Sequence, residues 1–259
     1  MSDRTGITAE ALGNSLLSQF EDIKFEKNHL PFVDTLKKTK LAIKKINTAS
    51  LEEGMPVLVF STQINQNLRQ LIIDSNCIFF DFFDTFISKM EHALNLKSSH
   101  TVGRSHGVSQ NDHYTDRINS INFSLNSDDG LGLKYYDQAD IILIGASRSG
   151  KTPSCLFMAL QYGIKAANYP LIEQDLKNTK LPEILQQYKD KLFGLSINPI
   201  RLQKIRDKRK SNYASLQQCQ SEVRRAEDMY HTNNIRFLDT TQTSIEEISA
   251  KIINKLSLR

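Results

Sequence analysis

Ile141-Ile142-Leu143-Ile144-Gly145-Ala146-Ser147-Arg148-Ser149-Gly150-Lys151-Thr152 is an apolar run that opens into a complete G-x-x-x-x-G-K-T octet. The run, with Asp140 before it, is a buried strand of about five residues. The pattern from Lys151 to Tyr162 is helical and is stopped by Gly163. A strand, a glycine turn and a helix therefore follow one another, and the chemistry of a phosphate loop requires that order. Glycines let backbone N–H groups curl around phosphate oxygens, and the helix N-terminus adds its partial positive charge. Lys151 neutralises β/γ-phosphate charge and the Thr152 hydroxyl suits Mg²⁺. Pro153 is tolerated because the first helical turn needs no intrahelical donor. The alternative is an ordinary strand-to-helix turn.

Outward from this stretch, short apolar runs alternate with segments of helical period, the pattern of an α/β chain built on a largely parallel sheet. Toward the C-terminus come strands near Lys165–Tyr169 and Leu192–Ile197, then a basic helix from Asn198-Pro199. A long helix over Tyr213–Tyr230 and a strand over Ile235–Asp239 follow. Ser244 and Glu247 have capping-box spacing and open a last helix with Ile248, Ile252 and Leu256 inward. Toward the N-terminus, Tyr114, Ile118, Ile121 and Leu125 define the face of one helix, which ends in the turn Ser127-Asp128-Asp129-Gly130. Strands are expected at Pro56–Phe60 and Cys77–Phe80, with helices near 63–74 and 85–94. A helix over 9–20 places Leu12, Leu16 and Phe20 on one face, a short run lies near 23–25, and 34–46 is again helix-like. Residues 95–112 turn polar and lose any period, as a connection or active-site loop does. The expected division is an N-terminal α/β lobe over 1–112, including that connection, and a C-terminal P-loop lobe over 113–259.

The 259 residues are 39% hydrophobic and 24% charged, with 11 Gly and 6 Pro, which excludes disordered, collagenous and low-complexity classes. No apolar run approaches the roughly 20 residues of a membrane span, so a soluble, cytoplasmic protein is expected. Cys77, Cys155 and Cys219 stand far apart with no His or Cys at ligand spacing, which points to neither a disulfide framework nor a zinc site. Residues 1–150 carry 15 basic and 18 acidic side chains, and residues 151–259 carry 18 and 11. The basic C-terminal part suits a partner rich in negative charge. Its stretch Arg201, Lys204, Arg206, Lys208, Arg209 and Lys210 lacks interleaved aromatics and reads as a solvated face or protein-docking surface rather than a nucleic-acid site.

A strand ending in a metal-binding Asp is not obvious. Asp81 and Asp239 close apolar runs and are positional candidates; Asp128 and Asp129, paired in a glycine-containing turn, can hold Mg²⁺ or accept a hydroxyl proton. Asp3, Thr5 and Gly6, before a helix start, form a candidate second anion site. Arg148 is placed to meet a phosphoryl group or a phosphorylated target.

Together these stretches resemble the bifunctional kinase and pyrophosphorylase regulatory proteins of phosphoenolpyruvate synthase and pyruvate, phosphate dikinase. The resemblance runs nearly end to end. It is carried by Ser2-Asp3-Arg4-Thr5-Gly6-Ile7-Thr8-Ala9-Glu10, Gly103-Arg104-Ser105-His106, Tyr114 with Arg117-Ile118, Asp128-Asp129-Gly130, Gly145 to Pro153, Lys165-Ala166-Ala167-Asn168-Tyr169-Pro170, Lys191 to Leu195 and Ser244 to Ile248. It implies a reaction in which ADP gives its β-phosphoryl group to a Thr of the target enzyme and AMP leaves. The reverse step would use inorganic phosphate to remove that group as pyrophosphate. It further implies nucleotide contacts from Gly145, Ala146, Ser147, Arg148, Ser149, Gly150, Lys151 and Thr152, and Mg²⁺ as a cofactor at Thr152 and Asp129. The implied catalytic residues are Lys151, Asp128, Asp129, Arg148 and His106. Tyr213-Ala214-Ser215 and Gln218-Cys219 look more like the synthase-directed branch, so phosphoenolpyruvate synthase is the expected partner, pyruvate, phosphate dikinase the alternative, and a homodimer a candidate assembly. A P-loop kinase for a small metabolite is the runner-up. The chain departs from the pattern at Met1, where an apolar strand usually precedes Ser2, and at Ser127, where His is common; His106 is the nearest alternative for a proton-transfer role.

Overall fold

The computed structural model describes residues 1–99, 111–208 and 215–256. The chain divides into two compact units, Met1–Gly107 and Val108–Arg259. It is α/β throughout.

In the first unit, β1 (Val57–Ser61) and β2 (Cys77–Asp81) pair in parallel, with Val57 opposite Cys77 and Ser61 opposite Asp81. Around them lie α1 (Ile7–Leu17), α2 (Leu36–Glu53), α3 (Gln66–Ile73) and α4 (Asp84–Leu94). The small core joins Ile46, Val59 and Ile72. The face expected for the first helix is overturned. Leu12, Leu16 and Phe20 are exposed, and α1 instead buries Ala9 and Gly13. A Cβ on Gly13 would stand 2.9 Å from the Phe60 ring, so the helix approaches β1 closer than a leucine face allows. The run at 23–25 forms no strand.

The second unit carries a parallel sheet in the order β4-β3-β5-β6, from β3 (Ile141–Gly145), β4 (Ala166–Pro170), β5 (Leu192–Ser196) and β6 (Phe237–Asp239). Strands β3 and β5 are buried along their whole length, as parallel strands covered on both faces must be. Alternate residues of β3 serve opposite layers. Ile141 and Leu143 meet Cys155 and Met158 of α6 (Lys151–Tyr162) and Ile248 and Ile252 of α10 (Ile245–Leu256). Ile142 and Ile144 meet Leu185 of α7 (Glu183–Gln186) and Ala226, Met229 and Tyr230 of α9 (Leu216–Thr232). The capping box forms as its spacing requires: Ser244 N–H donates to Glu247 and Glu247 N–H donates to the Ser244 hydroxyl, both at 3.2 Å.

The face expected for α5 (Asn111–Asn126) is also overturned: Ile118 and Leu125 are exposed, while Ser120, Phe123 and Ser124 are buried. The reason is the neighbouring sheet edge. Ser120 Oγ donates to Gly163 O and Ser124 Oγ donates to Ala166 O, each at 2.7 Å, so hydroxyls on α5 satisfy one carbonyl just past the end of α6 and one at the start of edge strand β4. Among the described residues no helix is long and apolar enough to cross a membrane.

Candidate active site

Every side chain of this site belongs to the second unit. At the C-terminal end of β3 the chain turns through Ala146–Gly150 and enters α6. Arg148 (φ 75°) and Gly150 (φ 98°) adopt left-handed backbone, a conformation that glycine takes freely and arginine only when held there. Gly145 is required by a close approach: a Cβ there would stand 2.6 Å from Leu195 O, a backbone atom that cannot move aside. Gly145→Ala is accordingly expected to lower stability by about 1–3 kcal/mol, read by thermal unfolding, because overpacking forces β3 and β5 apart at the loop's root.

Lys151 folds back into the turn, where its ammonium donates to Gly145 O and Ala146 O, each at 3.0 Å. The side chain is only 4% exposed. Burial brings its pKa down to about 8; Asp129, Cys155 and Asp128 oppose that shift and Arg206 adds to it. Thr152, one residue on, donates its hydroxyl to Asp128 Oδ1 at 2.7 Å. Asn168 of β4 completes a triangle. Its amide nitrogen hydrogen-bonds the same Asp128 oxygen and lies 3.4 Å from Thr152 Oγ1, and its amide oxygen accepts from Asp129 N–H at 3.1 Å. Asp129 sits at φ 48°, a left-handed position that Asp tolerates better than most residues, and its side chain is exposed. Tyr136, fully buried and with its hydroxyl pKa pushed up by burial, donates to Asn168 O at 2.9 Å. The arrangement thus sets a carboxylate on the loop's threonine, and a second, solvent-facing carboxylate beside it.

Of the residues singled out from the sequence, Asp128, Asp129, Arg148, Lys151 and Thr152 converge here. His106, with Gly103-Arg104-Ser105, lies outside the described residues. Asp239 does not join them, for its carboxylate is taken by the backbone N–H and hydroxyl of Thr241. Asp81 belongs to the first unit, where it pairs with Arg69 at 3.0 Å and accepts from the N–H groups of Phe83 and Asp84. Asp3 is buried and accepts from Ile64 N–H at 3.2 Å, holding the N-terminal segment against the β1–α3 connection. Ser127 is fully buried, and its backbone oxygen accepts from Asn168 N–H at 3.2 Å, so this position braces β4.

Several residues escaped the sequence reading. Asn168 could have been noticed as a polar side chain within the apolar run of β4. Arg206 could have been found from its spacing, since it follows Leu202 by four residues on α8 (Pro199–Lys208), and both are buried. Arg206 leaves the basic stretch expected to be solvated and donates to Ser147 O at 3.1 Å and Glu222 at 2.7 Å. Thr240 donates to Ser149 O at 3.0 Å, and Tyr230 to Ile144 O at 3.1 Å. Glu227 of α9 accepts from Ser196 at the end of β5. These positions carry no local motif.

A family model described as kinase/pyrophosphorylase matches residues 1–253. The chain belongs to that family. It is 50% identical to a Stutzerimonas stutzeri protein over 98% of this chain and 94% of the other. It is 50% identical to a Pseudomonas aeruginosa protein over 98% and 93%, and 51% identical to a Legionella pneumophila protein over 98% and 94%. Each of the three carries the name "Putative phosphoenolpyruvate synthase regulatory protein". Membership in this family supports a phosphotransferase role for the chain.

Proposed function

We propose that this chain is a bifunctional regulator of phosphoenolpyruvate synthase, an ADP-dependent threonine kinase and a phosphate-dependent pyrophosphorylase acting at one loop. The observation that carries the reading is the triangle of Thr152, Asp128 and Asn168 set against a loop with Lys151 buried in its turn. The names of the relatives favour the synthase as target over the dikinase.

In this reading the loop's N–H groups and the N-terminus of α6 receive the diphosphate of ADP. Lys151 stands where charge builds up on the transferred group. The hydroxyl oxygen of the target threonine attacks the β-phosphorus, the bond from that phosphorus to the bridging oxygen breaks, and AMP departs with the bridge oxygen. Asp129, exposed beside the loop, takes the hydroxyl proton. In reverse, an oxygen of inorganic phosphate attacks the phosphothreonine phosphorus, pyrophosphate leaves, and the proton returns to the threonine oxygen. The oxygens of Thr152 and Asp128 suit a hard divalent ion, and they are the pair that would hold Mg²⁺. Such an ion supplies charge neutralisation across the phosphates. Asn168 orients Asp128 toward Thr152 and fixes the Asp129 backbone, which separates the two carboxylates into different duties.

Incubation with phosphoenolpyruvate synthase and ADP should yield AMP and a phosphothreonine in equal amounts; subsequent phosphate should release pyrophosphate and restore the synthase. Phosphorylation of a small alcohol from ATP, with no reaction of the synthase in ADP, would show the reading to be wrong.

A further inference from the structure

The α8–α9 pair backs the loop, with Leu202, Cys219 and Val223 packed against Ala146 and Ile197. Among the described residues of this layer, a charged side chain, Arg206, reaches the loop itself. The Arg206 guanidinium, 1% exposed, donates through one nitrogen to both Ser147 O and Glu222, and its other terminal nitrogen lies 3.7 Å from the Cys219 sulfur.

A trans peptide is planar, with its C=O and N–H pointing in opposite directions, and the described chain has no cis bonds. Gripping Ser147 O therefore fixes where Arg148 N–H points. The gripped side is protein interior, since Arg206 is buried. Arg148, which supplies the N–H of the same peptide, is an exposed residue. Arg148 N–H therefore points away from Arg206, and Arg148 itself is held at a left-handed φ of 75°. Thr240 acts on the next-but-one peptide in the same sense: it holds Ser149 O, which turns Gly150 N–H. An aliphatic side chain would fill the seat of Arg206 equally well, but only a donor can hold a carbonyl, and a permanently charged one holds it more firmly.

We propose that Arg206 is a positioning residue for the diphosphate: through Ser147 O it aims Arg148 N–H at a phosphoryl oxygen, and so sets nucleotide affinity without touching the nucleotide. The inference rests on the nucleotide reading above. Removing Arg206 alone would strand Glu222, so the decisive variant of the full chain is the double replacement Arg206→Met with Glu222→Met, in which a buried pair gives way to apolar side chains of similar volume. ADP affinity by calorimetry, the thermal midpoint, and KM for ADP against kcat are measured together. The expected result is an ADP Kd raised about tenfold, the worth of one charge-assisted hydrogen bond, with the midpoint near wild type and KM affected more than kcat. Arg206→Lys, which keeps a cationic donor, should recover part of the affinity.

A folded double variant with wild-type ADP affinity overturns the proposal. Should the double variant fail to fold, Arg206→Lys decides: a raised KM for ADP at unchanged kcat supports positioning, and an unchanged KM overturns it. Wild-type chain that binds no ADP at all sinks the nucleotide reading together with this one. That result is distinct from an unaltered variant beside a binding wild type.

Discussion

Lys151→Ala should lower ADP-dependent phosphoryl transfer by on the order of 10²–10³, the usual loss when a group that stabilises developing charge is deleted. The fold should survive, because burying a charged lysine is itself unfavourable. With its pKa at about 8 against an ordinary value of 10.5, the protonated side chain costs the folded state about 3 kcal/mol at neutral pH. The sign follows from proton counting. Between those two values the unfolded chain binds more protons than the folded one, so stability rises as pH climbs from about 8 toward 10.5. Activity moves the other way, since only the ammonium form neutralises phosphate. Thus kcat/KM for ADP should fall as pH rises through about 8, and the decline should be missing from whatever activity Lys151→Ala retains. Thermal unfolding over the same range should show wild type gaining stability and the variant not. Full transfer activity in Lys151→Ala would remove the phosphate loop from the chemistry.

The second large effect separates two neighbouring carboxylates. Asp128 is tied to Thr152 and Asn168, the contacts that support its proposed part in holding Mg²⁺. Asp129 is held through its backbone N–H, and its side chain is exposed. Asp128→Asn should therefore weaken Mg²⁺-dependent ADP binding, seen by calorimetry with and without the ion, and lower turnover by about two orders of magnitude. Asp129→Asn should leave ADP binding intact and reduce single-turnover transfer by roughly 10²–10⁴, the range for loss of a general base. The opposite pattern, with binding lost at 129 and turnover alone lost at 128, would exchange the two roles. Asn168→Ala should resemble a weaker Asp128→Asn, since it releases the Asp128 carboxylate and the 128–129 backbone together.

Local chemistry explains which features could be read in advance. A G-x-x-x-x-G-K-T octet after an apolar run states its own conformation, because the glycines, the strand and the helix are contiguous. The helix after it begins at Lys151 and ends at Tyr162, as its period and Gly163 require. The Ser244 and Glu247 box likewise depends on residues three apart and forms as spaced. Faces were harder. Leu12, Leu16, Ile118 and Leu125 have the right period for burial, yet α1 and α5 turn small or hydroxylated residues inward. Their neighbours demanded close approach at Phe60 and hydrogen-bond donors at the β4 edge, and neither demand is written in the helix itself.

The sequence by itself determined the α/β class, the strand-to-helix turn and the helix that follows it, and offered Lys151, Thr152, Asp128 and Asp129 as candidate chemical groups, because each depends on residues near one another in the chain. Tertiary structure decided that Asp128, rather than the expected Asp129 or the positional candidates Asp81 and Asp239, hydrogen-bonds Thr152, that Asn168 joins them, and that Arg206 leaves a basic stretch to hold Ser147. Those contacts span 16 to 59 residues. They arise only when parallel strands set the ends of β3 and β4 side by side and α8 is packed behind the loop. Hydrogen bonding over such separations leaves no periodic trace in a sequence, since its geometry is fixed by the sheet and not by spacing along the chain.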